Sequence, residues 1–132
     1  MASHTPGIPG RVALRGLRCS ATQGDPPAAT LLLVDVSIAI DLAAVMDSDA
    51  YADVVDLADL AAAVRQAVAA QPRRLLETIA VHTARGVLAR YAAVHEVQLR
   101  IIKPEPTGLD AADESVEVRL AQLPVGPGTR GG

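Results

Sequence analysis

The sequence predicts an α+β domain of order ββααββ, an antiparallel sheet carrying two helices on one face. Three observations predict it. The apolar period is two residues in the first third of the chain, close to 3.6 in the middle, and two again near the end. Strands in two pairs flanking a helical pair favour antiparallel pairing and place both helices together on one side. A length of 132 residues, half of them hydrophobic, allows one domain with one modest core.

The elements follow in order. Residues 1–10, "MASHTPGIPG", and 123–132, ending "PVGPGTRGG", are rich in Gly and Pro and are expected to be disordered or weakly held. The ordered domain is expected to span residues 11–122. Arg11 to Cys19 alternates loosely and suits a strand, and "GDPP", Gly24 to Pro27, is a turn signal. In "TLLLVDVSIAIDL", Val34, Val36, Ile38 and Ile40 face one way and Asp35, Ser37, Ala39 and Asp41 the other. From Asp56 to Gln71, Leu57, Leu60, Ala61, Val64 and Val68 form a helical stripe. Pro72 ends that helix or begins the next. Leu76, Ile79, Ala80, Thr83, Val87 and Tyr91 then mark a second helix. Strand period returns in "VHEVQLRIIK", with Val97, Leu99 and Ile101 on one face. "KPEPTGLDAADE" reads as a loop, and "SVEVRL" as a last strand with Val116, Val118 and Leu120 inward.

Composition narrows the function. With no Phe or Trp and only Tyr51 and Tyr91 as aromatics, the core must be aliphatic. Small aliphatic side chains bury little area each, so the chain is expected to bury more against copies of itself. A net charge of −3, scattered arginines and scarce aromatics argue against a nucleic-acid partner. The lone Cys19 and the dispersed His4, His82 and His95 suggest neither disulfide nor metal site, and fit a reducing cytoplasm. Neither a signal peptide nor an apolar run of ~20 residues is apparent, so no membrane association is expected.

Two side chains stand out. Lys103 is the single lysine among twelve basic residues, and it follows Val97, Leu99 and Ile101 onto one strand face. Its stem can pack at the rim while its head reaches water. Alternatively a partly desolvated amine serves as a proton carrier, a task no arginine can perform. Glu77, in "RRLLETIA", complements a helix dipole on one reading. On another its carboxylate makes a forked contact with an N–C–N edge of a ligand. Periodicity does not choose between these.

In sequence and at matching intervals, "VALRGL", "LLVDVSIAIDLA", "LLETIA", "VQLRIIKPEP" and the closing "VRL" resemble a dihydroneopterin aldolase, a member of the tunnelling-fold group. The resemblance runs from about Arg11 to Leu120. It implies a homo-oligomer, a tetramer or an octamer of two stacked rings, whose sheets join into a barrel with pockets between subunits. It implies a pterin-like small-molecule substrate and no cofactor or metal. Glu77, next to Leu76, would grip the aminopyrimidine edge, and Lys103 would carry protons in a retro-aldol cleavage. The family's Asp-Thr-x-x-Tyr appears here as "DVVDL", with Val54 at the threonine and Leu57 at the proton-shuttling tyrosine. The first loop is shorter than the family's, and Asp25 falls at its glutamate. The loop after Lys-Pro is only partly echoed. Tyr51, six residues before Leu57, is a candidate compensating proton donor.

Three functions are compatible with these residues. One is an aldolase-type lyase or epimerase acting on a dihydropterin in folate biosynthesis. Another is a repurposed paralogue, with Val54 and Leu57 lining a more apolar pocket for a different substrate in specialised metabolism. The last is a pterin-binding oligomer without turnover.

Overall fold

A computed structural model describes residues 7–23, 26, 28–49, 55–70 and 75–122. Four strands, β1 (Pro9–Gln23), β2 (Ala28–Asp41), β3 (Glu96–Pro104) and β4 (Asp113–Ala121), form one antiparallel sheet in sequential order. Between the strand pairs lie a short helix α1 (Ala43–Ser48) and two longer ones, α2 (Leu57–Ala69) and α3 (Leu76–Arg90). The ββααββ order is the one the periodicity predicts, and α1 is an addition to it.

Alternation explains the sheet. On β2, Leu32, Val34, Val36, Ile38 and Ile40 are buried, and on β3 so are Val97, Leu99 and Ile101. These positions face the helices. On the other face Asp35, Ser37, Gln98, Arg100 and Glu117 line an open depression of about 370 Å³. There Arg11 Nη1 donates to Glu96 Oε1 at 2.9 Å and Arg11 Nε to Ser37 Oγ at 2.8 Å.

β1 is longer than its loose alternation suggests, because its inward parity changes midway. Val12 and Leu14 pack inward before a register shift, and Leu17, Cys19 and Ala21 after it. Gly16 sits in that bulge at φ +66°, and its N–H donates to Asp35 Oδ1 at 2.8 Å. A left-handed φ inside a strand selects glycine. The strand also begins before Arg11. Pro9 pairs with Asp41, and Ile8 N–H donates to Asp41 Oδ1 at 2.8 Å. Residues 1–6 and 123–132 lie outside the described residues.

The helices fasten to the sheet through aliphatic stripes. Asp56 caps α2 by accepting from Ala58 N–H at 2.9 Å. Leu60, Val64 and Val68 then recur every four residues into the core, and α2 lies over β1. On α3 the buried positions are Leu76, Ile79, Ala80, Thr83, Ala84 and Val87, and this helix lies over β3 and β4. The core is one aliphatic cluster, with Val116, Val118 and Leu120 of β4 packed at its edge. No helix among the described residues is long and apolar enough to cross a membrane.

Candidate functional site

The direction of α3 decides which side chains meet. Gln122 Nε2 donates to the Leu88 carbonyl at 3.0 Å, and Gln122 N–H to the His95 carbonyl at 2.9 Å. The last turns of α3 therefore lie where β3 begins and β4 ends. Fifteen residues at 1.5 Å each carry the helix back about 22 Å. Leu76 and Glu77 thus start α3 at the opposite end of the sheet, the end where β3 finishes at Lys103 and Pro104.

Lys103 continues the parity of Val97, Leu99 and Ile101 on the helix-covered face and is half-buried there. Pro104 closes the strand. The following turn holds its shape through left-handed Glu105, Gly108 and Asp110, and through a Glu105 N–H to Ala112 carbonyl bond of 2.8 Å. Directly across from Lys103, in register, stands Glu114 of β4. It is half-buried with the parity of Val116 and Val118.

Glu77 is exposed in the first turn of α3. With Thr78, Val81, His82 and Arg85 it borders an open depression of about 540 Å³. The preceding Leu75 is extended, offers no side-chain cap and is 58% exposed. The first N–H groups of α3 thus receive no side-chain acceptor from the N-cap, and a carboxylate lies beside them. Leu76 turns the other way, into the core, at 4% exposure.

Leu57 lies at the far end. It opens α2, half-buried against the core. Two residues on, Asp59 meets the end of α3. Arg90 Nη2 donates to Asp59 Oδ1 at 2.6 Å and Arg90 Nε to Oδ2 at 3.0 Å, while the Tyr91 hydroxyl donates to Oδ2 at 2.5 Å. Arg90 and Tyr91 hold the Asp59 carboxyl down to about 2. Within one chain, then, Lys103 and Glu77 share an end, and Leu57 is about 20 Å away, the length of a helix. Asp25, Tyr51 and Val54 lie outside the described residues. Sequence reasoning did not find Glu114 or the Asp59 cluster. The parity of Glu114 with Val116 was readable, but its place opposite Lys103 depends on hairpin register. Asp59 and Tyr91 are 32 positions apart.

The fold also shifts Asp41, Arg90, Tyr91 and Cys19. Cys19 is buried, and burial pushes its thiol up to about 11, against the opposing pull of Arg65. It belongs to the core rather than to a reactive surface.

A sheet of this order, with paired helices on one face and ionisable side chains at the rim, defines a small α+β domain. The family model for dihydroneopterin aldolase (FolB) matches residues 12–120, and the chain belongs to that family. It is 30% identical over 101 residues to the Arabidopsis thaliana protein named "Probable dihydroneopterin aldolase 3", covering 74% of this chain and 63% of that one. The chain thus spans just under two-thirds of that relative's length. The fold is similar to that of an E. coli dihydroneopterin aldolase solved in complex with neopterin, at a TM-score of 0.77 and 26% identity, covering 85% of this chain and 99% of that one. A Burkholderia dihydroneopterin aldolase bound to guanine matches at a TM-score of 0.74 and 26% identity, covering 87% and 93%.

Proposed function

We infer that the protein is a dihydroneopterin aldolase-type lyase that cleaves the side chain of a dihydropterin, with epimerisation as a companion activity, and that it serves folate biosynthesis. What supports this reading is that Glu77 opens α3 and Lys103 lies near the end of β3, elements that the return of α3 over the sheet brings to the same end of the domain. The neopterin and guanine held by the two structural relatives share an amino-substituted N–C–N edge, the group that a carboxylate can grip with two acceptors. The exposed Glu77 carboxylate, beside N–H groups at the start of α3, offers acceptors and donors for such an edge.

Chemistry follows from what the substrate supplies. Removing the proton of a side-chain hydroxyl next to the scissile bond lets the C–C bond break, and glycolaldehyde leaves. The ring imine takes the electron pair, and the resulting carbon is reprotonated. The protein therefore has to bind, orient and move protons. Lys103 carries the proton, because an arginine at this position would not release it.

A single chain holds Leu57 and Lys103 at opposite ends, so the site is completed by a second copy contributing its α2 end. There Val54 and Leu57 would form an apolar wall where the family has threonine and tyrosine, with Asp25 and Tyr51 as candidate polar groups. Leu76 supports Glu77 from within the core. The test is incubation with 7,8-dihydroneopterin, following 6-hydroxymethyl-dihydropterin and glycolaldehyde, with thermal shift read in parallel. Product formation is expected. Binding without product would leave a pterin-binding oligomer, and neither would point to another substrate.

A further inference from the structure

The chain enters β1 through a strap, Gly7 to Gly10. Pro9 opens the ladder with β2 opposite Asp41 and has no N–H to give it. The neighbouring groups make the attachment instead. Ile8 N–H donates to Asp41 Oδ1 at 2.8 Å, and the Ile8 carbonyl accepts from Leu42 N–H at 2.8 Å. The same carboxylate oxygen accepts at 2.9 Å from the N–H of Ala43, the first residue of α1. Gly10 lies flat on Leu42, since a Cβ there would come within 2.3 Å of Leu42 Cδ1. Between these fixings the strap borders a depression of about 250 Å³, shared with Ala39, Ile40 and His95. Asp41 itself is exposed, so protons reach it without any opening of the core.

We propose that Asp41 is a latch: one carboxylate oxygen holds the N-terminal strap and the first turn of α1 together, so that the two are released as a unit. A carboxylate suits this task because its charge strengthens both bonds. Those two N–H groups, Ile8 first, hold the acid below its ordinary value, and the charge of His95 at the start of β3 acts in the same sense. The other charges of this region are engaged elsewhere. Arg11 and Glu96, both opposite Ala39, are paired with each other at 2.9 Å, and Arg119 of β4 approaches Glu96 at 3.9 Å. Asp49 closes the far end of α1. A depressed acid gives its contribution above its ordinary value and loses it as pH falls, so acid opens this latch. In sequence α1 leads toward Val54 and Leu57, the end that the proposed site takes from a second copy. That consequence rests on the aldolase reading, and the latch on the bonds alone.

The test is amide hydrogen exchange, read residue by residue by NMR on the whole chain. In the wild type, protection of the Ile8, Leu42 and Ala43 amides is expected to fall together, about tenfold, as pH drops below the ordinary aspartate value of ~3.9. The amides of Val36 and Leu99, paired in the middle of the sheet, should keep theirs. Asp41→Asn keeps an oxygen and loses the charge, so it should show the lower protection already at neutral pH, with no further loss on acidification. Gly10→Ala presses the strap away from Leu42 and leaves the carboxylate in place. It should lower protection at Ala43 as well as at Ile8. Either variant freeing Ile8 while Ala43 stays protected would overturn the proposal. So would a wild-type series in which the three amides do not move together, a measurement that needs no variant to fold. Coupled exchange in a protein inert toward dihydroneopterin would defeat the aldolase reading and sustain the latch.

Discussion

The two ends of the helical hairpin use charge in opposite ways. Where α2 begins and α3 finishes, one carboxylate is consumed. Both oxygens of Asp59 accept from Arg90, one of them also from Tyr91, and the guanidinium sits 5.7 Å from the Tyr91 ring centre. Where α3 begins and β3 finishes, α3 has no side-chain cap, Glu77 is exposed, and Lys103 faces Glu114 across a ladder rung. Charge paired between α2 and α3, here at the surface, ties elements together. An exposed carboxylate such as Glu77 contributes little to stability and is open to a ligand.

That contrast can be broken at its strongest point first. Lys103→Arg keeps the charge and removes the amine that gives up a proton, so turnover of dihydroneopterin is expected to fall by ~10²–10⁴. Size-exclusion elution should be unchanged. Undiminished product formation would end the proton-transfer role. A smaller change is expected from Glu77→Gln, which keeps the shape and loses the ionised acceptor. KM should rise roughly tenfold or more with kcat nearly constant, the cost of one charge-assisted hydrogen bond. If kcat falls instead, Glu77 acts in the chemical step. The smallest effect belongs to the other end. Asp59→Asn should lower the melting temperature by a few degrees while leaving steady-state kinetics close to wild type.

The Asp59 cluster also predicts a pH response. Its folded-state carboxyl titrates near 2, below the ordinary aspartate value of ~3.9. A depressed acid stabilises the fold above the unfolded value and loses that contribution as pH falls toward the folded one. Thermal melts of the wild type should therefore weaken between about pH 4 and pH 2, and the slope there should be shallower in Asp59→Asn. Identical slopes would mean that the cluster contributes nothing to acid stability.

Much of the architecture was legible because burial imposes a period. Val34 to Ile40 and Val97 to Ile101 alternate without a break, and Leu60, Val64 and Val68 repeat every helical turn. Reading failed where the period was interrupted. In β1 the bulge at Gly16 shifts the inward parity by one, so fifteen residues of strand looked like nine. The glycine inside a strand pattern was the available signal. Helix α1, six residues long, is too short to declare a period. At the rim, Lys103 was legible through its uniqueness and Glu77 through its place in an apolar helix start. Glu114 was not, because a partner across a hairpin is fixed by register. The separation of Leu57 from Lys103 was equally hidden, since it follows from the direction in which α3 returns over the sheet.

The aliphatic core leaves an optical signature. Without tryptophan, the chain absorbs and emits in the near ultraviolet through its two tyrosines. Burial, and then its bond to Asp59, pushes the Tyr91 phenol above its ordinary value, so this ring resists ionisation as the solution turns alkaline. Phenolate absorbance from Tyr91 therefore reports the release of the helix junction, a reporter that needs no added dye.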